Sequence, residues 1–179
     1  RAVRDMRLAQ IWTGTNEIMN AMIQHELFTE AAGEAGTYRD FELDAMHVDE
    51  GDRRFMRMMG MVSLDNNGGF IQAALDLESD ELRHAGEYEG LVIDVFGNGE
   101  VYNLHLRQDG LWLPWQAFRA SFATSQEWQT LYLPFSEFEA HATRARLKPD
   151  RLKRIGLVAI GRDFDADLCL GRIGYYRLP

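Results

Sequence analysis

Residues 101–107, Val-Tyr-Asn-Leu-His-Leu-Arg, alternate between apolar and polar side chains with little interruption. A period of two is the repeat of an extended strand, so Tyr102, Leu104 and Leu106 share one face and Asn103, His105 and Arg107 the other. The same reading sets Gln116, Phe118, Ala120 and Phe122 against Trp115, Ala117, Arg119 and Ser121, and Gln72 against Ile71 and Ala73. Short runs of this kind fill most of the chain: 55–62, 70–77, 91–96, 101–107, 115–122, 128–134, 154–160 and 167–176, after a weaker one near 41–48. Asn67-Gly68, Gly97-Asn98-Gly99 and Asp109-Gly110 supply turn chemistry between them, and Pro134, Pro149 and Pro179 fall at strand ends or in loops. Eight or nine short strands with no helical pattern among them predict an all-β antiparallel sandwich.

The first part of the chain has a different period. Gly14 interrupts any helix begun at residue 1, and Thr15 is placed to cap the next. Ile18, Met19, Met22, Ile23 and Leu27 then recur at helical spacing until Gly33 and Gly36. These residues predict a helical segment over 1–32, with its helix from residue 15, then a linker over 33–40 and the sandwich over 41–179. The apolar stripe of that helix needs a surface to cover it, either the sandwich or a second copy of the chain. Self-association through the helix is therefore expected as one outcome.

A formal net charge of −9 argues against binding a nucleic-acid backbone, which requires clustered Lys and Arg. No apolar run approaches the roughly 18 residues of a membrane span. Cys169 is the only cysteine, which excludes an intrachain disulfide and fits the cytoplasm or another reducing compartment. Its neighbours Leu168 and Leu170 make it a small core residue rather than a nucleophile. The five histidines lack ligand spacing, so no metal is expected. Asp163, Asp165 and Asp167 alternate as calcium ligands could, but no Gly or Glu completes a loop, and a solvated acidic loop is the simpler reading. No set of residues argues for catalysis, and no cofactor is expected.

The best candidate for function is the polar row Asn103, His105 and Arg107, extended by Gln72, Arg119 and Arg162, with Trp112 and Trp115 nearby. Fixed donors on strands beside an indole plane suit a sugar, a carboxylate or a polar protein surface. The alternative is that antiparallel sheets commonly keep one face solvated, so such alternation arises without a ligand. The Asn66-Asn67-Gly68-Gly69 turn is structural, or else shapes that face.

Four segments in order, Ser63-Leu-Asp-Asn-Asn-Gly-Gly-Phe70, Tyr102-Asn-Leu-His-Leu-Arg107, Pro114-Trp-Gln-Ala-Phe-Arg119 and Ile155-Gly-Leu-Val-Ala-Ile-Gly-Arg-Asp-Phe-Asp-Ala-Asp167, resemble the complex I intermediate-associated protein family over about residues 44–176. The resemblance implies a galactose-binding-like jelly roll and a non-enzymatic binding or assembly role, with a protein partner such as a respiratory-complex assembly intermediate. Members usually open on a Trp-containing strand and a Met-Gly-Gly-rich loop. Residues 37–50 stand there instead, which leaves a sheet edge either exposed or covered by the N-terminal segment.

A second resemblance covers Arg4-Asp-Met-Arg7, Ile11-Trp-Thr-Gly-Thr-Asn-Glu-Ile-Met19 and Ile23-Gln-His-Glu-Leu27, which look like the last helix of acyl-CoA dehydrogenases. It implies flavin contacts at Thr15, Asn16 and Glu17, yet Thr13 stands where some relatives carry the catalytic glutamate. Residues 1–28 cannot enclose a flavin, so none is expected to bind. With Arg1 at the start, the chain reads as a fragment or the end of a fusion. The alternatives to an assembly module are thus a carbohydrate-binding module, suggested by the fold, or the C-terminal remnant of a flavin-dependent dehydrogenase fusion.

Overall fold

The computed structural model describes residues 3–5, 47–48, 53–64, 69–77 and 85–177. The expected helix over 15–32 and the flavin-contact positions Thr15, Asn16 and Glu17 lie outside the described residues. Among the described residues twelve strands are seen: β1 (Val3–Asp5), β2 (His47–Val48), β3 (Arg53–Arg54), β4 (Met56–Val62), β5 (Phe70–Asp76), β6 (Gly90–Gly97), β7 (Val101–Gln108), β8 (Ala117–Ala123), β9 (Gln129–Pro134), β10 (Glu139–His141), β11 (Leu152–Ile160) and β12 (Phe164–Tyr176). All pair antiparallel. One sheet runs β10-β8-β7-β11-β5, and a second runs β12-β6-β9, while β2 and β3 form a separate two-stranded ribbon. The described helix is confined to 3-10 turns at Phe135–Glu137 and Pro149–Arg151.

β12 organises the second sheet. Along one side it pairs with β6, and along the other with β4 over Phe164–Leu170 and with β1 at Gly174–Tyr176. On that second side β12 is therefore covered by Met56–Val62 and Val3–Asp5. β12 also begins three residues earlier than the sequence suggested, because Phe164, Asp165 and Ala166 continue the ladder with Val62, Met61 and Gly60. A register shift between Leu170 and Arg172 keeps Leu168 and Leu170 on one side of it, and Ile173 and Tyr175 on the other, inside the core.

The two sheets face each other across one apolar cluster. Leu91, Ile93 and Val95 of β6 meet Leu104 and Leu106 of β7, Phe118 and Phe122 of β8, and Ile155 and Leu157 of β11. Burying a large apolar side chain fully contributes roughly 1.5–3 kcal/mol before entropy is counted. Among these apolar contacts runs one polar tie. Tyr102 Oη donates to Asn98 Oδ1 at 2.8 Å and accepts the Asp167 N–H at 2.9 Å, joining β7 of one sheet to β12 of the other.

Candidate functional site

The predicted faces of β7 and β8 are those observed. Tyr102, Leu104 and Leu106 are fully buried in the core, as are Phe118, Ala120 and Phe122 within a few per cent. Asn103, His105 and Arg107 lie on the outer face of the β10-β8-β7-β11-β5 sheet, on its middle strand. Cross-strand register builds rows around them. Arg119 is opposite His105 and Ser121 opposite Asn103 on β8, while Glu139 is opposite Arg119 on β10. On the other side, Gly156 is opposite His105 and Val158 opposite Asn103, and these lead to Ala74 and Gln72 on β5.

Outward positions are not all solvated here. Val158 and Ala117 are buried although they alternate with core residues. The Gly156 position admits only ordinary contacts to its neighbours. A Cβ there would meet the Gln72 carboxamide at 3.4 Å and the His105 Cβ at 3.6 Å, so Gln72 and His105 flank a floor with no side chain of its own. Burial, followed by the charges of Arg119 and His141, pushes the His105 imidazole down to about 3, so it is neutral at pH 7. Burial also lowers the Arg119 guanidinium. His105 Nε2 and Arg119 Nε are buried without a hydrogen-bond partner among the described residues. Elsewhere on the face the polar groups are engaged: Ser121 Oγ donates to Asn103 Oδ1 at 2.8 Å, and Arg154 forks onto Asp76 at 2.7 and 3.0 Å.

One end of the face is walled by the loop between β7 and β8. Asp109-Gly110 turns the chain, with Gly110 at φ 88°, a conformation glycine adopts without Cβ strain. Gln116 braces the rest of this loop: its Oε1 accepts the Trp112 and Leu113 N–H groups at 3.0 and 3.1 Å, and its Nε2 donates to the Ala142 carbonyl at 3.1 Å. Arg107 reaches across to donate to the Pro114 and Leu113 carbonyls at 2.9 and 3.3 Å. This frame holds Trp112 at 90 % exposure and Trp115 at 58 %. Gln108, buried, pins the segment behind it by donating to the Arg146 carbonyl and accepting the Lys148 N–H.

Two expectations need correction. Trp115 is not part of the β8 row: the Gln116 N–H bonds the Leu113 carbonyl, and the strand starts only at Ala117. Arg162 stands apart from the row as well. It pairs with Glu100 and lies 4.2 Å over the Phe164 ring, by the start of β7, whereas Arg107 is near its end. The acidic alternation read as a solvated loop is for the most part strand. Asp163 caps the Leu64 N–H, Asp167 takes the Arg57 fork, and Asp165 and Asp167 lie in β12 rather than in a loop. No cluster of three or more metal-ligating side chains occurs among the described residues. Gln108 escaped the sequence reading, and Gln116, read as a residue of the β8 apolar face, lies in the loop instead. Gln108 bonds backbone groups far away in sequence, and Gln116 bonds both its own loop and Ala142, for which strand periodicity gives no sign.

A profile of the complex I intermediate-associated protein 30 (CIA30) family matches residues 42–170, most of the chain. The chain belongs to the complex I intermediate-associated protein 30 family. That match begins after the segment compared above with acyl-CoA dehydrogenases, a resemblance that finds no support. No curated protein matches the chain in sequence. Among solved structures, the family member resembles the family 11 carbohydrate-binding module of the cellulosomal cellulase Lic26A-Cel5E of Clostridium thermocellum. The TM-score is 0.63 at 11% identity, over 79% of this chain and 85% of that one. The same kind of module from that organism, in complex with a β-1,3-1,4-mixed-linked tetrasaccharide, gives 0.62 at 12% identity, over 78% and 85%. The family 30 module of the Clostridium thermocellum cellulase Cel9D-Cel44B gives 0.57 at 15% identity, over 81% and 87%. At such identities the likeness establishes the fold, a galactose-binding-like β-sandwich. Among the described residues no helix is long and apolar enough to cross a membrane.

Proposed function

We propose that this family member is a non-catalytic binding module that docks a protein partner, of the kind found in a respiratory-complex assembly intermediate, on the outer face of the β10-β8-β7-β11-β5 sheet. Gln72, Asn103, His105 and Arg119 form the floor of that surface and Trp112 and Trp115 its wall, with Arg107 acting through the loop it holds. The observation that carries the reading is the pair of exposed indoles on a loop whose backbone Gln116 and Arg107 hold beside a polar floor. A single exposed apolar side chain is ordinary, but two exposed indoles three residues apart on one loop are less so, and Trp concentrates binding energy at interfaces. Family membership favours a protein partner. The sandwich neighbours and the same indole pair support a second reading, a sugar stacked on Trp115.

Immobilised wild-type chain and a Trp112→Ala/Trp115→Ala variant separate these when each is offered purified complex I assembly intermediates and, in parallel, a soluble glucan panel. Retention of an intermediate by wild type alone supports docking. Indole-dependent glucan binding without any retained protein replaces it with the sugar reading, and equal behaviour of the two proteins refutes both.

A further inference from the structure

The arginines of the outer face differ in what they meet. Arg154 is forked onto Asp76, and Arg107 donates to the carbonyls of the Trp loop. Arg119 differs: only burial perturbs its guanidinium, with no carboxylate offsetting it, and its Nε has no acceptor among the described residues. Directly opposite, His105 Nε2 is buried in the same condition. Glu139, the β10 residue in register with Arg119, is exposed and does not neutralise it. Beyond His105 the row continues into Gly156 and Ala74, which have no side chain and a short one, with Gln72 on the far side of Gly156.

We propose that Arg119 and His105 form a seat for one carboxylate, supplied by an Asp or Glu side chain of the protein partner; this rests on the docking reading above. A guanidinium presents a planar fork matched to two carboxylate oxygens, and a neutral imidazole has one N–H whose position follows the acceptor it meets. A single carboxylate satisfies both orphaned atoms. The net charge of −9 disfavours a polyanion such as a polyuronate. Seating an anion there also favours the imidazolium, so His105 will titrate at higher pH when the seat is filled. The other ionisable groups facing this position are Arg119 on β8, Glu139 and His141 on β10, Arg107 on β7, Arg154 on β11 and Asp76 on β5.

The test uses the whole chain, 15N-labelled, at constant ionic strength balanced with sodium chloride. Sodium acetate should shift the His105 ring and Arg119 Nε resonances saturably and raise the His105 pKa. The capped peptide acetyl-Gly-Glu-Gly-amide should do the same, and acetyl-Gly-Gln-Gly-amide should not. Arg119→Gln should weaken the response by roughly tenfold or more. Arg119→Lys, which keeps the charge, should restore part of it and covers the case in which the glutamine variant does not fold. Shifts that chloride alone reproduces, an equal response to the Gln peptide, or digalacturonate binding where the Glu peptide does not, would each overturn the proposal. Partner retention that survives Arg119→Gln but not the double Trp substitution overturns the seat and leaves the docking face standing.

Discussion

His105 occupies an outward position on a central strand, yet its imidazole is held down to about 3 by burial and by the positive charge of Arg119 and His141. Against an unfolded value of 6.5, the unfolded chain binds more protons than the native one across that window. Stability contributed by the neutral ring is therefore complete above pH 6.5 and is lost as pH falls toward 3. A shift of this size corresponds to a few kcal/mol at the acid end, of order 2–4 after solvent access is allowed for. His105→Gln removes the titration, so the variant should gain on wild type as urea unfolding is repeated at decreasing pH between 7 and 4. A wild-type-minus-variant difference that stays flat across that range would contradict the burial of the ring. The position of His105 on the polar face was legible from alternation alone. Its burial was not, because that depends on which strands lie beside β7, and Gly156 and Gln72 reach it only through pairing of distant segments.

At the scale of an element, the Trp loop is a device made of side chains that bond backbone. Arg107 and Leu106 are adjacent in sequence but act on different structures. Arg107 holds the Leu113 and Pro114 carbonyls at the surface, whereas Leu106 is wholly buried between the sheets. Arg107→Ala should leave global stability within about 1 kcal/mol while loosening the loop, since exposed hydrogen bonds contribute little net free energy. Amide exchange at residues 111–116 should then quicken and Trp fluorescence should become more readily quenched. Leu106→Ala should instead cost roughly 2–5 kcal/mol by opening a cavity, with the loop no more mobile than the domain. Unfolding of the domain by Arg107→Ala would show that its contacts are structural throughout. Asp109-Gly110 announced a turn in the sequence, and two tryptophans marked the stretch as unusual. What periodicity could not show is that Gln116 folds back on Trp112 and Leu113, which moves Trp115 off the strand and into the loop.

Over the whole molecule, turn residues and period-two runs were enough to read an antiparallel sandwich, because strands such as β7 and β8 carry their own two-faced pattern. Strand order was beyond reach, since β12 pairs with β6, β4 and β1, three segments far apart in the chain, and its register shift departs from simple alternation. Apolar burial, which has no direction, cannot by itself fix how the two sheets sit over one another, and Tyr102 supplies a directional link between them. Burial pushes its hydroxyl from 10.0 up to about 12. Tyr102→Phe leaves the Asp167 N–H and the Asn98 carboxamide oxygen without this partner, a loss of about 1–3 kcal/mol. In a chain of this size that lowers Tm by several degrees, at about 2–4 °C per kcal/mol. The pH dependence has a definite sign. The native state keeps the phenolic proton between pH 10.0 and about 12 while the unfolded state releases it, so wild type loses stability as pH rises through that window. The phenylalanine variant lacks this ionisation, and its deficit should narrow above pH 10, although Tyr175, also raised by burial, still adds an alkaline loss to both proteins. Thermal melts at pH 7, 9 and 10.5 measure this directly. A deficit that is constant over that range, or absent at pH 7, would mean that Tyr102 joins the sheets by packing alone.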